Sequence, residues 1–362
     1  MIYLEAILLL SGTLVFFALL LIVAERTLLD YGVCTIEIEG RKDPVVVPGG
    51  QDLLTVLSSQ AIYVPSMCGR RGTCGHCKVT VLAGGQPTLP IELLYLTGEE
   101  LASRTRLACQ VKVRENLRIR LSNALLSATR YRGRVISVLA LSAEVKEIRL
   151  RLADPKQISF HPAQFVQVEV PVKEEEPVFR AYSIASPVYE NAELALDVQR
   201  VPGGVGSTWL HRLGVGDVVW FTGPYGEFRL NESPEVEVVC VAGGCGLAPM
   251  KSIVYSVLDR WPGRTCWLFY GFRTASDAIQ FPVYQQLAAR FPNFRFVCAV
   301  SDSPEDARRL QAESGPVHQA VDRRLDADAR RQAFVCGPEE MLDAVAKVLA
   351  KKGVTDVYFD RL

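Results

Sequence analysis

Four cysteines impose the strongest constraint on how this chain can fold. Three lie within residues 68–77, CGRRGTCGHC, and a fourth follows in RLACQV, giving the spacing Cys68-x5-Cys74-x2-Cys77-x31-Cys109. Thiols crowded this closely serve in a disulfide knot, a zinc site or an iron–sulfur cluster. A disulfide framework is typical of short, cysteine-dense secreted chains, and a chain of 362 residues with ten cysteines is neither. The remaining choice is between zinc and iron–sulfur.

The distribution of the four cysteines favours iron–sulfur. Zinc sites usually pair two C-x2-C-like knuckles, whereas here three cysteines share one glycine-rich loop and the fourth stands alone on a predicted strand. This asymmetry is typical of the plant-type [2Fe–2S] arrangement, although the first gap is one residue longer than usual. The loop glycines allow a tight wrap that aims backbone N–H groups at sulfur. We therefore predict a [2Fe–2S] cluster held by Cys68, Cys74, Cys77 and Cys109.

Three other residues of the loop carry charge or ligand chemistry. Arg70 and Arg71 are expected either to favour the reduced cluster or to dock an acidic partner, and the alternative is that both are solvated loop residues. His76 is expected at the surface, because no cysteine ligand is missing. Four cysteines elsewhere lie in apolar or strand contexts and are predicted to be inert packing residues: Cys34, Cys240, Cys266 and Cys298.

The N-terminus contains nineteen consecutive uncharged residues, AILLLSGTLVFFALLLIVA. As a helix they span about 28 Å, close to the hydrocarbon thickness of about 30 Å of a bilayer. A cleaved signal peptide is the alternative, but no Lys or Arg precedes the run and no cleavage site follows it cleanly. We predict a single-pass anchor over residues 1–31 in the inner (cytoplasmic) membrane. Arg26, Arg41 and Lys42 follow the span, which predicts that the remaining domains face the cytoplasm.

Charge and motif content exclude several classes of function. The formal net charge is zero and no basic block stands out, so nothing indicates nucleic-acid binding. The sequence has no G-x-S-x-G pattern, and its four histidines include no pair at i, i+4 spacing. Hydrolase and catalytic-zinc chemistry therefore have little support.

Three changes of pattern after the anchor predict a multi-domain chain. Residues 32–122 predict a small β-rich unit: a hairpin from TIEIEG and DPVVVPGG, a helix capped by Asp52, the strand KVTVLAG, a short helix in TGEELAS, and paired strands in RLACQVKVRENLRIRL. SNALLSATRYRG reads as a linker. Regularly spaced strands over 130–232 predict an antiparallel β-barrel. Apolar strands alternating with helices over 233–362 predict an α/β domain with a parallel sheet covered on both faces.

Two glycine turns in the second half are candidate nucleotide sites. In PGGVGSTWL a glycine turn opens a helix, which offers free N–H groups to phosphate, and RAYSIAS supplies an Arg for pyrophosphate and a Tyr for a flat ring. In VCVAGGCGLAPM a glycine turn follows an apolar strand and opens a helix. CGP ends another strand of the same predicted sheet, and ligands of such sheets bind at the carboxyl ends of the strands.

The order of these segments carries a family resemblance. R-x-Y-S, G-G-x-x-S, G-G-C-G-L-A-P and C-G-P resemble the ferredoxin–NADP⁺ reductase superfamily. With the cysteine loop, the N-terminal anchor, GPYGEF and YGFR, nearly the whole chain resembles the family of the F subunit of Na⁺-translocating NADH:quinone reductases. Two segments depart from that family. VPVKEEEPVF stands where an insertion is usual, and the ending VYFDRL lacks the usual aromatic-plus-glycine pattern.

The resemblance implies an α+β ferredoxin-like (β-grasp) fold for residues 32–122 and roles for individual residues. FAD would be held by Arg180 at its pyrophosphate, by Tyr182 and Ser183 at its isoalloxazine, and by Gly204, Ser207 and Thr208 at its phosphates. NADH, the substrate, would bind at Gly243, Gly244, Gly246, Pro249, Gly337 and Pro338. Cys336 would stand near the nicotinamide, so that Tyr182, Ser183 and Cys336 form the expected catalytic set. Arg273 in YGFR is a further cofactor contact that would also suit the 2′-phosphate of NADPH.

The implied function is an NADH:acceptor oxidoreductase, with quinone as the favoured acceptor. A hydride would pass from NADH to FAD, and single electrons would then pass to the [2Fe–2S] cluster and on to other membrane subunits that lead to quinone. Reductases of multicomponent oxygenases lack the insertion, so delivery of electrons to an oxygenase or another metalloenzyme is the alternative. A third possibility is a zinc-binding membrane adaptor without turnover, which leaves both nucleotide turns unexplained.

Overall fold

The structure, a computed structural model, describes residues 10–20, 30–173, 177–226, 228–327 and 329–361. The chain forms two compact units, Met1–Ser127 and Ala128–Leu362. The boundary between them falls inside the stretch that reads as a linker. The second unit contains both nucleotide segments, and their division near residue 232 stays a prediction.

The described part of the predicted anchor is a helix. Helix α1 covers residues 10–20, and its large apolar side chains are exposed, for example Phe16 at 61%. Residues 1–9 and 21–29, which complete the predicted anchor together with α1, lie outside the described residues. Within the described ranges, no helix is both long enough and apolar enough to cross a membrane.

The first unit is built on a five-stranded mixed sheet in the order β2-β1-β5-β3-β4. The predicted hairpin is confirmed as β1 and β2, and the predicted helix as α2, where Asp52 accepts a hydrogen bond of 2.9 Å from the Thr55 N–H. Four apolar residues of α2 are buried against the sheet. The elements are β1 (Val33–Ile38), β2 (Val45–Pro48), α2 (Leu53–Ser59), β3 (Lys78–Ala83), α3 (Gly98–Ala102), β4 (Thr105–Leu107), β5 (Leu117–Arg120) and α4 (Asn123–Ser127).

The prediction for RLACQVKVRENLRIRL is wrong in two respects. Strands β4 and β5 do not pair with each other, because both lie beside β3. Cys109 is not on a strand but in the turn that follows β4. The physical reason is that the backbone beyond Cys109 bonds to the entry of α2, with Leu53 N–H donating to the Val111 carbonyl at 2.8 Å and Gly50 N–H to that of Val113 at 2.7 Å. The residues between β4 and β5 therefore never join the sheet.

The second unit begins with a six-stranded antiparallel sheet in the order β10-β7-β6-β11-β8-β9. Its two ends approach each other, since an isolated bridge joins Ile184 to Leu196 and the Ala185 N–H donates to the Ala195 carbonyl at 2.8 Å. The sheet therefore curves as the predicted barrel requires. The elements are β6 (Thr129–Ala140), β7 (Val145–Asp154), β8 (Phe165–Val170), β9 (Val178–Ser183), β10 (Glu193–Gln199), α5 (Val205–His211) and β11 (Val218–Tyr225).

The predicted parallel sheet is confirmed in the last 130 or so residues. Its order is β15-β14-β13-β12-β16-β17, with every neighbouring pair parallel. The buried central strands read as unbroken apolar runs because helices cover both faces. The elements are β12 (Glu237–Gly243), α6 (Leu247–Arg260), β13 (Cys266–Phe272), α7 (Phe281–Arg290), β14 (Phe294–Val300), α8 (Pro304–Arg309), β15 (Glu313–Ser314), α9 (Val317–Arg324), β16 (Arg331–Gly337), α10 (Glu339–Lys351) and β17 (Asp356–Arg361).

Candidate cofactor sites

The four predicted cluster cysteines form two pairs in the first unit. The sulfurs of Cys77 and Cys109 lie 3.3 Å apart, and the side chains of Cys68 and Cys74 hydrogen-bond to each other. All four are free thiols. Among the described residues, no group of three or more His, Cys, Asp or Glu is arranged to hold a single metal ion. Two thiol pairs from one loop and its neighbouring turn fit the donor set of a cluster with two irons and four cysteines.

Backbone N–H groups of the loop converge on these sulfurs. Burial acts to raise the pKa of the Cys68 thiol, but hydrogen bonds from the Thr73 backbone and the Cys74 side chain hold that pKa below its usual value. The hydrogen bond from the Cys77 thiol lowers the pKa of Cys109 to about 7, against the opposing effect of burial, while the pKa of Cys77 itself is raised. Donors aimed at sulfur stabilise the thiolate form, which is the form that binds metal.

Gln110 is a residue of this site that the sequence analysis missed. Its side-chain N–H₂ donates to the Cys109 sulfur at 3.3 Å and to the Arg70 carbonyl at 3.3 Å. It also fills the space beside Gly72, where a Cβ would lie 2.9 Å from the Gln110 amide nitrogen. Its only signal in the sequence is its position next to Cys109.

The structure separates the two loop arginines. Arg70 has a backbone φ of +68°, and its guanidinium donates to the Thr55 hydroxyl of α2 at 2.7 Å. Arg71 is exposed. Arg70 therefore ties the loop to α2. The exposure of Arg71 fits the reading of a solvated loop residue. His76 is exposed, as predicted.

A buried ion pair supports the turn that carries Cys109. The Glu92 carboxylate is fully buried and accepts from the Arg106 guanidinium through both oxygens, at 2.9 and 2.6 Å. One of those oxygens also accepts from the Leu107 N–H at 2.9 Å. This pair holds the segment around Glu92 against β4, two residues before Cys109. Nothing in the sequence pattern singled out either partner.

The first nucleotide turn and the R-x-Y-S strand meet in the second unit. Arg180, Tyr182 and Ser183 lie half-buried on β9, and a Cβ at Gly206 in α5 would lie 2.7 Å from Arg180 Cγ and 3.0 Å from the Tyr182 hydroxyl. The turn thus packs directly on the two side chains predicted to hold FAD. Gly204 caps α5, and Thr208 follows within its first turn. The Ser207 hydroxyl accepts from the Val201 N–H at 3.0 Å, so it also supports the loop.

The second nucleotide turn borders a cavity of about 550 Å³. Of the predicted residues, Gly243, Gly244, Arg273 and Pro338 line it. Its volume lies in the usual range for small-molecule sites. Residues that the sequence analysis missed line the same cavity: Glu144 and Gln199 from the barrel, and Cys245, Ser301 and Met341 from the parallel sheet.

Gly246 joins this turn to the CGP segment. A Cβ at Gly246 would lie 2.2 Å from the Cys336 carbonyl oxygen, so the two backbones touch as only glycine permits. Pro249 is buried in the first turn of α6. The structure therefore brings the two predicted turns together at the carboxyl ends of the adjacent strands β12 and β16.

Cys336 faces a carboxylate from the last strand. Its sulfur lies 3.8 Å from the Asp360 carboxylate, and burial raises the pKa of both groups. Asp360 belongs to VYFDRL, which the sequence analysis noted only as a departure from a family pattern. The four cysteines predicted to be inert packing residues are all buried, as packing requires, and their inertness stays a prediction.

Three protein-family models match the chain in succession. They are a 2Fe-2S iron-sulfur cluster binding domain over residues 36–114, an oxidoreductase FAD-binding domain over 132–230 and an oxidoreductase NAD-binding domain over 240–347. The cluster domain contains all four paired cysteines. The other two domains contain the first and the second nucleotide turn, respectively.

Curated relatives match over nearly the full length. The chain is 31% identical to the F subunit of the Na⁺-translocating NADH-quinone reductase of Neisseria meningitidis, with 94% of this chain and 93% of that protein covered. It is 32% identical to the corresponding F subunit of Klebsiella pneumoniae, with 93% of each covered.

Solved structures of similar architecture include two reductases. The cytochrome P450 reductase GcoB of Amycolatopsis shows a TM-score of 0.72 at 29% identity, with 91% of this chain and 98% of that chain covered. A ferredoxin reductase of carbazole 1,9a-dioxygenase shows a TM-score of 0.67 at 28% identity, with coverages of 91% and 99%.

Proposed function

The chain belongs to the family of the F subunit of the Na⁺-translocating NADH-quinone reductase, and on that premise we propose that it delivers electrons from NADH to a quinone through partner subunits in a membrane. The chain is an oxidoreductase: FAD accepts a hydride from NADH and releases single electrons to a [2Fe–2S] cluster. We propose the path of the electrons beyond the cluster and the residues that serve each step. The observation that carries it is the match to the F subunit over more than nine-tenths of both chains.

Each site residue has a defined task in this proposal. Cys68, Cys74, Cys77 and Cys109 ligate the cluster, and the Gln110 amide stabilises the charge on Cys109. Arg180 neutralises the FAD pyrophosphate, while Tyr182 packs against the flavin. Burial raises the pKa of Tyr182 to about 12, so that its hydroxyl stays neutral.

The cavity residues orient NADH. The glycines of the second turn let the dinucleotide approach the backbone closely, and Cys336 stands where the two turns meet. Arg273 lies at the rim of the cavity as a cation for a phosphate group. Holding the two reacting rings together in a shielded cavity is the main contribution that a protein makes to hydride transfer.

The N-terminus attaches this relay to the inner membrane. Helix α1 exposes Leu10, Leu14, Val15, Phe16, Phe17, Leu19 and Leu20. A helix apolar on every side is unsuited to water and suited to lipid. We place residues 32–362 on the cytoplasmic side, where the basic residues after the apolar run are retained.

The test uses membranes of the native host with the chain deleted. NADH-dependent reduction of a short-chain ubiquinone should be lost and should return with the wild-type chain but not with Cys109→Ser. A chain lacking residues 1–31 should keep NADH-dependent reduction of ferricyanide in solution yet fail to restore quinone reduction. Unchanged quinone reduction in the deletion membranes would contradict the proposal.

The solved structures favour a second candidate function. The P450 reductase and the ferredoxin reductase each match 91% of this chain, so the acceptor in the second candidate is a cytochrome P450 or a dioxygenase component. Purified acceptor proteins of the host separate the two functions. Rapid NADH-driven reduction of a cytochrome P450 or a dioxygenase component, together with normal quinone reduction in deletion membranes, would favour the second.

A further inference from the structure

Two buried carboxylates on neighbouring strands face each other inside the second unit. Glu147 on β7 and Asp197 on β10 are direct partners in the antiparallel pair, so their side chains share one face of the sheet. Both are buried, at 8% and 6% exposure. Like charges directly opposite on neighbouring strands destabilise a sheet, and the cost rises when water is excluded. The barrel therefore needs a cation from elsewhere at this point.

Lys251 of helix α6 supplies that cation from the parallel-sheet half of the unit. Its ammonium forms a close ion pair with Glu147 and lies 3.8 Å from an Asp197 oxygen. Lys251 is 7% exposed. The contact is therefore a buried triad of one ammonium and two carboxylates that joins the barrel to the helix that follows the second nucleotide turn.

The triad lies immediately behind the walls of the 550 Å³ cavity. Strand β7 begins with Val145 and β10 ends with Gln199, and both of these residues line the cavity. On the other side, the Cys245 thiol of the nucleotide turn donates to the Asp197 carbonyl at 3.4 Å, and Cys245 lines the cavity too. Strands β7 and β10 and the nucleotide turn therefore line the cavity, and the same two strands carry the carboxylates of the triad.

We propose that Lys251, through its ion pairs with Glu147 and Asp197, is a positioning residue for hydride transfer: it holds the dinucleotide turn of the parallel sheet against the barrel that carries the flavin. Lys251 contacts neither cofactor and acts through the position of the turn. The inference rests on the NADH-to-FAD reaction and adds the residues that align its two halves. Misplacement of reacting groups by a fraction of an ångström is enough to slow such a step strongly.

The charge balance of the triad makes the proposal specific. Both Asp197 carboxylate oxygens lack a hydrogen-bond partner among the described residues, and burial raises the pKa of Asp197 to about 6. The other titratable groups that face the triad are Cys245, Tyr255, Tyr270 and Tyr284, all with a raised pKa. Arg149, two residues after Glu147 on β7, is paired with Glu190, and both charges act on Tyr255. The thiol and the phenols stay neutral between pH 5 and 8. Protonation of Asp197 is therefore the titration that changes the triad in this range.

The first test is Lys251→Met in the FAD-loaded full-length protein. Flavin reduction at saturating NADH is measured by anaerobic stopped flow and divided by the wild-type rate at each pH. At pH 8, well above the pKa of about 6 that burial gives Asp197, its carboxylate is charged and no ammonium lies beside it, so the rate should fall at least tenfold. At pH 5.5 protonation of Asp197 removes that charge, and the loss should shrink to about a third of that or less. FAD content and reduction by dithionite report folding independently of NADH.

Glu147→Gln should give the opposite pH dependence. Lys251 then has only Asp197 as its counter-ion, so protonation of Asp197 leaves the buried ammonium unpaired. The rate relative to wild type should stay close to one at pH 8 and fall at least threefold as the pH approaches 5. This variant keeps the triad testable if Lys251→Met does not retain FAD.

Arg331→Met is the matched control. Arg331 is also a buried cation between two carboxylates, Glu237 and Asp326, but it lies at the amino end of β16, opposite the cavity. It should lower the midpoint of thermal unfolding while its flavin-reduction rate stays within twofold of wild type.

Four outcomes would overturn the inference. These are a Lys251→Met rate within twofold of wild type at pH 8, an equal loss at every pH, a Glu147→Gln profile parallel to wild type, or an equal slowing by Arg331→Met. Wild-type flavin that NADH does not reduce would instead contradict the NADH-to-FAD function itself.

Discussion

The cysteine loop and the dinucleotide cavity are both bordered by glycine-rich turns, yet they are held in different ways. In the loop, three of four sulfurs come from ten consecutive residues, and most of the backbone N–H groups that bond to Cys68 and Cys74 belong to the same stretch. In the cavity, the walls come from strands, turns and a helix scattered between Ser142 and Met341, and a buried ion triad lies between the strands and helix α6. The loop depends on the spacing of residues that are close together in sequence. The cavity lies between two sheets and therefore depends on the side-chain contacts that join those sheets.

We therefore expect a substitution at either site to affect that site and to leave the other intact. Removing a loop ligand should abolish the cluster but leave NADH oxidation by the flavin intact. Changing a contact behind the cavity should slow flavin reduction but leave the cluster intact. The changes below test this separation.

Cys109→Ser should have the largest effect. It removes one of the four thiolates and leaves an iron short of a ligand, so the EPR signal of the reduced cluster should vanish and electron delivery beyond the flavin should fall at least a hundredfold. NADH-driven flavin reduction should be unchanged. Cys34→Ala, which removes another buried thiol of the same unit, is the control and should keep the EPR signal. Slow flavin reduction in Cys109→Ser would show that the two sites depend on each other.

Gly246→Ala should disable the cavity and spare the loop. The new Cβ would lie 2.2 Å from the Cys336 carbonyl oxygen, so the two turns must separate. We expect kcat/KM for NADH to fall at least tenfold, measured with ferricyanide as acceptor. Gly263→Ala, where no atom lies within 4 Å of the new Cβ, is the matched control. A normal kcat/KM in Gly246→Ala would show that the contact is not needed for the site.

Glu92→Ala tests whether the loop is as local as its spacing suggests. The change leaves the buried Arg106 guanidinium without its carboxylate, a loss that typically costs about 3 to 5 kcal/mol. The first unit should unfold at a lower denaturant concentration and lose its cluster during purification, while FAD content stays normal. Glu99→Ala, at an exposed position on α3, should change neither. An intact cluster in Glu92→Ala would mean that the loop needs no support from outside.

Asp197→Asn should change how stability depends on pH in the second unit. The pKa of Asp197 is raised from 3.8 to about 6, so the folded protein holds a proton that the unfolded chain has released. The stability from this group is fully present below about pH 3.8 and is lost as the pH rises through about 6, at about 1.4 kcal/mol per pH unit inside that window. Urea unfolding of the variant at pH 5 and 7.5 should show a smaller difference than wild type. An equal difference would place the titrating group elsewhere.

Asp52→Ala should have the smallest effect. It removes the side-chain cap of α2, worth about 1 kcal/mol, and loosens the Thr55 hydroxyl to which Arg70 is bound. The thermal midpoint of the first unit should fall by a few degrees and the EPR signal should persist. Loss of the cluster would show that the hydrogen bonds joining Asp52, Thr55 and Arg70 are as necessary for cluster binding as a ligand.

Much of the fold was predictable because its signals are local. The strand–helix alternation after residue 233, the alternating strands of the barrel and the Asp52 cap each depend on residues close together in sequence, and the structure confirms them. The pairing of β4 and β5 was not predictable. Each segment has the pattern of a strand, but both strands pair with β3. No pattern within a strand indicates which strand lies beside it.

The candidate sites divide in the same way. The sequence analysis identified Gly243, Gly244 and Pro338 because glycine and proline at the end of a strand indicate a tight turn where ligands bind. Gln110, Glu92 and Asp360 were missed because each is an ordinary polar residue whose role depends on a partner that folding brings to it. Lys251 is the clearest case, since a lysine in a helix reads as a solvated residue until the helix is placed on two carboxylates.

By itself the sequence determined the chemistry of the chain: four thiols at [2Fe–2S] spacing, two nucleotide turns and an uncharged N-terminal run. These are properties of neighbouring residues and need no long-range information. Only the tertiary structure decided which sulfurs pair, that the Arg70 guanidinium binds α2, and that one buried lysine lies against two carboxylates of the barrel. The physical reason is that burial and charge pairing depend on distance in space, which the order of residues does not state.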